Sequence, residues 1–414
     1  MRQFITTEDF IYKGQPLNGI PLLVNDCGEP EPIANNYMIY FVLQKASANS
    51  ALTWLNNSDS LYDYFSWLEA QKLNWDDEPL YTDIGKEVSN LVLYQRWCIK
   101  TYCKANGEKL ANSTINVRIA NLEAFYRWAR DIAKLIKWIP YITLVKQVRI
   151  GHPGFMAHTR GQRVIETSDL RLPTKKATLK VLSLEQCRDL MTAPMSQTLR
   201  IATLLMLCTG LRNEECRTFP RKYIINPRGL NQNYRIRIDL DNRDIKIKGN
   251  CSRSIYVSWQ MMATLYEYIK YGEGPIRANL FEDKNGHPPT VLFLNNSGEP
   301  YSTKGLNNRY RDLWKGYKRR GVNYPPAISF PIFPHKLRHT FATMELYYES
   351  ERKDEYGRKK GLGHALVWVQ KRLGHRSLQS TSTYVHCLEQ LDNNELNIYQ
   401  QELDRMVVEK IYAP

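Results

Sequence analysis

Between Ser58 and Ala129 the apolar residues recur at helical spacing in three successive stripes, which commits this part of the chain to helices rather than sheet. Leu61, Tyr64, Phe65 and Leu68 follow a Ser58-Asp59 start signal; Val88, Leu91, Val92 and Ile99 form the second stripe, with Gln95 as its polar member. Ile115, Ile119, Leu122, Tyr126 and Ala129 form the third, opened by the capping sequence Asn112-Ser113-Thr114. Arg118, Arg127 and Arg130 lie off that stripe and give the helical region a basic exposed side. A different period governs residues 234–257. There Tyr234, Ile236, Ile238 and Leu240 alternate with Arg235, Arg237 and Asp239, and Ile245 and Ile247 with Lys246 and Lys248, before a Gly249-Asn250 turn and Ser254–Val257. The expected fold class is mainly α with a small antiparallel β-sheet.

Four stretches follow from these changes of character. Residues 1–54 form an N-terminal segment of unreadable role. Its short apolar runs are broken by Gly19, Pro21, Gly28, Pro30 and Pro32, so strands and turns are expected rather than a long helix. Residues 55–150 form a helical domain, and 151–180, with Gly151, Pro153, Gly154, Gly161 and Pro173, a basic linker. Residues 181–414 form a mixed domain, where Ser183 and Gln186 have the spacing of a capping box.

Charge narrows the partner. Lysine and arginine number 57 against 42 acids, a net charge of +15 with a pI near 9.3, and such a balance points to a polyanion. Nucleic acid is favoured over a membrane surface, because no apolar run reaches the roughly 18 residues of a span, and the opening MRQFITTEDF lacks the apolar core of a signal peptide. A cytoplasmic protein is expected. The eight cysteines are scattered without C-x-x-C or zinc spacing, so they read as reduced and structural, with no metal site.

Chemistry concentrates in three places. His335-Lys336-Leu337-Arg338-His339 sets two histidines and an arginine at helical spacing, suited to gripping one anion. Leu373-Gly374-His375 follows, then Tyr384 nine positions on; a phenol, with its ordinary pKa of about 10, needs cations or a base to act as a nucleophile. Upstream, Thr209-Gly210-Leu211-Arg212 closes an apolar run, and Glu215 is placed to fix the Arg212 plane by a bidentate contact. A lysine beside the sheet turn, Lys248 or Lys246, is placed to protonate a leaving oxygen.

In this order, Thr209–Arg212, Lys248-Gly249-Asn250 with Arg253, His335–Thr343, and Leu373-Gly374-His375 with Tyr384 resemble the motif set of the tyrosine recombinases, the phage integrase family. Ser113–Arg130 is similar to that family's helical core-site DNA-binding domain, so the resemblance covers about residues 55–390. The interval from Arg338 to His375 is longer than in compact members, and the excess near residues 348–363 reads as an inserted loop. It holds a second Leu-Gly-His, at Leu362-Gly363-His364, but nine positions beyond His364 stands Leu373, not a tyrosine.

The resemblance implies a helical core-binding domain and a mixed α/β catalytic domain clamping double-stranded DNA. It further implies that Arg212 and Arg338 clamp the scissile phosphate, that Tyr384 attacks it, and that His335 and His375 bond its oxygens or manage the tyrosine proton. Lys248 becomes the general acid, preferred over Lys246 because it sits at the turn, and Glu215 the residue that orients Arg212. Arg118, Arg127, Arg130 and Arg253 become DNA contacts. A covalent 3′-phosphotyrosine needs no ATP, metal or other cofactor. Implied with it are a homo-tetramer on paired sites joined by C-terminal tails, accessory DNA-bending or directionality proteins, a mobile-element role and a bacterial, nucleoid-associated location. Type IB topoisomerases and telomere resolvases share the chemistry, and a DNA-binding regulator that has lost cleavage is the rival outside enzymes.

Overall fold

A computed structural model of the chain describes residues 1–44, 50–81, 87–103, 107–149, 162–174, 181–247, 252–388 and 393–409. The chain divides into two compact units, Met1–Lys176 and Ala177–Pro414.

In the first unit β1 (Arg2–Ile5) pairs antiparallel with β2 (Pro21–Val24), and α1 (Pro32–Gln44) follows. The helix α1 corrects the expectation of strands and turns throughout this segment. Its sequence is apolar nearly all round, so no helical stripe stands out against a polar face. Buried Asn35 ties it to β2, accepting from Leu23 N at 2.7 Å and donating to Leu23 O at 2.9 Å. The next helix, α2 (Ala51–Gln71), starts before the Ser58 signal. Ser58 is buried inside it and accepts from Gln3 Nε2 at 2.8 Å. Leu17, Ile20, Leu23, Tyr37 and Met38 share one core with Leu61, Tyr64, Leu91, Ile119 and Tyr126, so residues 1–44 pack with the helices, and the expected boundary at 54/55 falls inside α2.

Two further helices complete that core. Ser89 caps α3 (Asn90–Lys100) by accepting from Val92 N. The helix α4 (Asn112–Asp131) has Ala111 at its N-cap with no side-chain bond, contrary to the capping sequence expected there; Asn112 instead donates to Pro173 O at 2.8 Å. Beyond it β3 (Thr143–Arg149) pairs antiparallel with β4 (Gln162–Ser168), so part of the expected linker is strand. Residues 150–161 and 175–180 lie outside the described residues.

The second unit opens with α5 (Leu184–Thr192), where Ser183 and Gln186 form the capping box read from the sequence. The apolar α6 (Gln197–Thr209) stops at Gly210 in the left-handed conformation, and the short α7 (Asn213–Arg217) follows. Strands β5 (Ile236–Leu240) and β6 (Arg253–Val257) pair antiparallel and bury Ile238, Leu240, Ile255 and Val257. Ile245 and Ile247 are also buried, but outside the strands. Then come α8 (Trp259–Lys270), α9 (Glu273–Asn285), α10 (Gly305–Lys315), the hairpin β7 (Tyr317–Arg319) with β8 (Val322–Tyr324), α11 (Pro334–Glu351) and α12 (Gly361–Leu373). Of the segment expected as an inserted loop, residues 348–351 end α11 and 361–363 begin α12, and between the two helices a turn is closed by a Lys353–Lys359 bridge.

After α13 (Leu378–Ser382) and α14 (Val385–Leu388), α15 (Asn393–Glu409) buries Tyr399, Leu403, Met406 and Val407 in the same core as Leu190 and Leu205. Tyr399 Oη lies 2.9 Å from Cys187 Sγ. Of the two packings open to such an apolar tail, within its own chain or onto a neighbouring protomer, this single chain shows the first. Among the described residues no helix is long and apolar enough to cross a membrane.

Candidate active site

Two left-handed glycines shape the floor of the site. Gly210 ends α6 and Gly374 ends α12, and each turn exposes a carbonyl that the preceding helix no longer uses. Arg338, on α11, is 1 % exposed and donates from Nη1 to Gly210 O and from Nη2 to Leu373 O, both at 2.6 Å. Burial, with Arg212 and Arg253 nearby, lowers its pKa to about 9, so it remains a cation at neutral pH. A Cβ at position 210 would stand 2.3 Å from Phe341 Cδ1, in addition to the strain of φ +66°, so the first glycine is required twice over.

Arg212 sits at the junction that the sequence suggested. Its Nη1 donates to Glu215 Oε1 at 2.9 Å, its backbone N–H donates to Oε2 at 2.8 Å, and Nη2 reaches Gly374 O at 3.4 Å. Glu215 is fully buried and also receives a two-pronged contact from Arg253, at 2.7 Å on each oxygen. Burial alone would raise its pKa; Arg253 and Arg212 outweigh that and hold it near about 2. Arg253 Nε is bonded to Arg372 O at 2.9 Å. Arg253 is thus a buried partner of Glu215, which corrects its reading as a DNA contact.

Tyr384 lies between α13 and α14, 2 % exposed, with its N–H bonded to Thr381 O. Burial raises its pKa and Arg338 and Arg212 pull it back, leaving it above the ordinary phenol value. Its hydroxyl meets His339 Nδ1 at 3.2 Å. His375 lies nearly parallel to the Tyr384 ring, 6.1 Å between centroids, with Nδ1 at 3.0 Å from Thr381 Oγ1. Burial and the surrounding arginines lower the His375 pKa to about 4. His335 is exposed one turn before His339, the two rings edge-on at 4.2 Å.

The sequence thus located Arg212, Glu215, Arg338, His375 and Tyr384 in one constellation. Lys248 lies outside the described residues, while Lys246 is exposed. The sequence marks His339 as one of two histidines suited to gripping an anion and gives it no separate role; its helical spacing from His335 and adjacency to Arg338 are the signals it carries.

The basic residues of α4 divide. Arg118 is paired with Asp63 and packs its guanidinium 4.7 Å from the Tyr102 ring centre, so part of its charge is engaged within the unit. Arg130 forks onto neighbouring Asp131 at 2.6 and 3.0 Å. Arg127 is exposed. Elsewhere Arg309, Arg311, Lys315, Lys318 and Arg319 line an open groove between α10 and β7 with Asp312 as its acid. That cation density is visible in Asn307–Gly321, on the polar back of a helix whose apolar face is Leu306, Tyr310 and Leu313, a pattern that an ordinary solvated face shares.

Residues 180–351 match the model of the phage integrase family. The chain is similar to tyrosine recombinase XerC of Bacillus subtilis (strain 168), 25% identical over 365 residues that cover 87% of this chain and 94% of the relative. It is also similar to transposase A from transposon Tn554 of Staphylococcus aureus, 26% identical over 257 residues, 59% of each chain. Among solved structures, the XerH site-specific recombinase bound to palindromic difH substrate aligns with a TM-score of 0.48 at 18% identity, covering 87% of each chain.

Proposed function

We propose that this chain, a site-specific DNA recombinase of the tyrosine recombinase (phage integrase) family, cuts and rejoins duplex DNA through a covalent 3′-phosphotyrosine on Tyr384. The observation that carries this mechanism is the burial of the Tyr384 hydroxyl within one cluster of Arg212, Arg338, His339 and His375. A guanidinium has five N–H donors. Arg338 uses two on backbone carbonyls and Arg212 two on Glu215 and Gly374, which leaves donors on each for a phosphate oxygen. As the phosphoryl group transfers, negative charge grows on its nonbridging oxygens, and fixed cations stabilise that charge without having to reorganise.

In this reading Arg212 and Arg338 clamp the phosphate, His335 and His375 serve its oxygens, Glu215 and Arg253 hold Arg212 in plane, and Lys248 protonates the leaving 5′ oxygen. Double-stranded DNA is the partner. The groove lined by Arg309, Arg311, Lys315, Lys318 and Arg319 supports contact with its backbone, as does exposed Arg127. Division into a DNA-gripping unit within 55–150 and a catalytic unit from 181, assembly as a homo-tetramer on paired sites, helper proteins that bend DNA or set direction, and use by a mobile element in the bacterial cytoplasm complete the proposal.

A nicked suicide substrate carrying the cognate site tests it. Incubated with EDTA and no ATP, the protein should form a covalent adduct through Tyr384, and Tyr384→Phe should bind the same DNA and form none. Adduct formation by Tyr384→Phe, or a strict need for a divalent metal, would overturn the mechanism.

A further inference from the structure

Resting on this reading, we propose that His339 is the group that takes the Tyr384 proton during cleavage and returns it during rejoining. Three histidines surround the nucleophile, and they stand in different relations to it. Nδ1 of His339 is 3.2 Å from the phenolic oxygen, with the two rings 5.6 Å apart and tilted by 52°. His339 and Tyr384 are 8 % and 2 % exposed, so little water competes for that bond. His375 holds Thr381 Oγ1 with its own Nδ1, and the exposed His335 ring stands edge-on to His339 at 4.2 Å between centroids.

An acceptor must enter the reaction without its proton. Burial, then His335, Arg338 and His375, push the His339 pKa down to about 3, so in the free protein the ring is neutral. With that ring protonated on Nε2, the tyrosine hydroxyl donates to Nδ1. A scissile phosphate held by Arg212 and Arg338 brings negative charge among those same cations and raises the ring's affinity for a proton when the transfer occurs. The step balances. The Tyr384 O–H bond breaks and its proton goes to His339 Nδ1, the oxygen lone pair forms the new bond to phosphorus, and the bond from phosphorus to the 5′ oxygen breaks, that oxygen taking a proton from the general acid. Rejoining reverses each transfer, so His339 then protonates the departing phenolate.

Single-turnover adduct formation on the nicked substrate separates this step from the rest. Wild type should form the adduct, whereas His339→Gln, whose amide accepts a hydrogen bond but not a proton, should be slowed by about 10²–10⁴-fold with unaltered DNA affinity. Placing 2,3-difluorotyrosine at position 384 acidifies the phenol; it should recover a large part of that loss in His339→Gln and change the wild type little. A His339→Gln rate equal to wild type, or equal acceleration of both proteins by the fluorinated residue, would overturn the role of His339 and leave the recombinase reading intact. Absence of any adduct with wild type would instead overturn the reading. If His339→Gln melts below the assay temperature, the wild type decides by itself: a rate that rises about tenfold or more with phenol acidity means no base is in place.

Discussion

Opposing forces act on single groups at this site, and their balance sets what each substitution should do. Arg212→Ala and Arg338→Ala should each lower the cleavage rate by at least about 10²–10³-fold, because each removes a donor whose contact tightens as charge develops. Arg338→Ala should also lower the melting temperature, since it leaves the buried carbonyls of Gly210 and Leu373 without a partner. Lys248→Ala cleavage should recover on a substrate whose 5′ bridging oxygen is replaced by sulfur, which leaves without a proton, whereas Lys246→Ala should cleave like wild type; rescue of Lys246→Ala instead would move the general acid two positions. Glu215 gives a stability prediction. Its carboxyl is held near about 2 against an ordinary 4.5, a depressed folded-state value, so its contribution is complete above about 4.5 and lost as pH falls through about 2. Wild type minus Glu215→Gln stability, from denaturant melts, should be on the order of 3 kcal/mol at neutral pH and shrink across that window. A difference independent of pH would contradict it. At this scale the sequence was legible where a motif names a charge and its spacing, as at Arg212 and Glu215. It was not legible for Arg118 or Arg253, because an arginine's partner, here Asp63 or Glu215, is chosen by the fold and leaves no mark on local pattern.

At the level of elements, α15 has the clearest consequence. With Tyr399, Leu403, Met406 and Val407 buried among residues of α5 and α6, removal of 393–414 should expose that core and destabilise the second unit by several kcal/mol. Circular dichroism melts of the truncated protein would show this directly; an unchanged midpoint would return the tail to the role of an intersubunit arm. The elements that sequence periodicity found were those with one apolar stripe and a polar back, such as α4. It missed α1, whose surface is apolar nearly all round, and started α2 late, at Ser58, where a buried serine imitates a cap. One of the three runs expected in the sheet is not strand among the described residues: Ile245 and Ile247 are buried as strand residues would be, yet outside the paired strands.

For the molecule as a whole, a net charge of +15 makes salt the natural probe. Affinity for a cognate duplex should fall steeply with ionic strength, and a triple Arg309→Ala, Arg311→Ala, Lys315→Ala variant should lower the slope of log affinity against log salt by up to about 3. Loss of affinity with an unchanged slope would place the groove away from phosphate. Arg118→Ala should behave differently, weakening the first unit's stability through Asp63 more than its salt response. The gripping of Arg338 by main-chain oxygens also bears on how this chain tolerates genetic drift. A cation positioned by neighbouring side chains moves whenever one of them is replaced, but Gly210 O and Leu373 O are present whatever residues surround them. Relatives sharing about a quarter of their residues with this chain can therefore diverge widely in that neighbourhood while the guanidinium keeps its aim, and the burden of constancy falls on the two glycines whose turns present those oxygens.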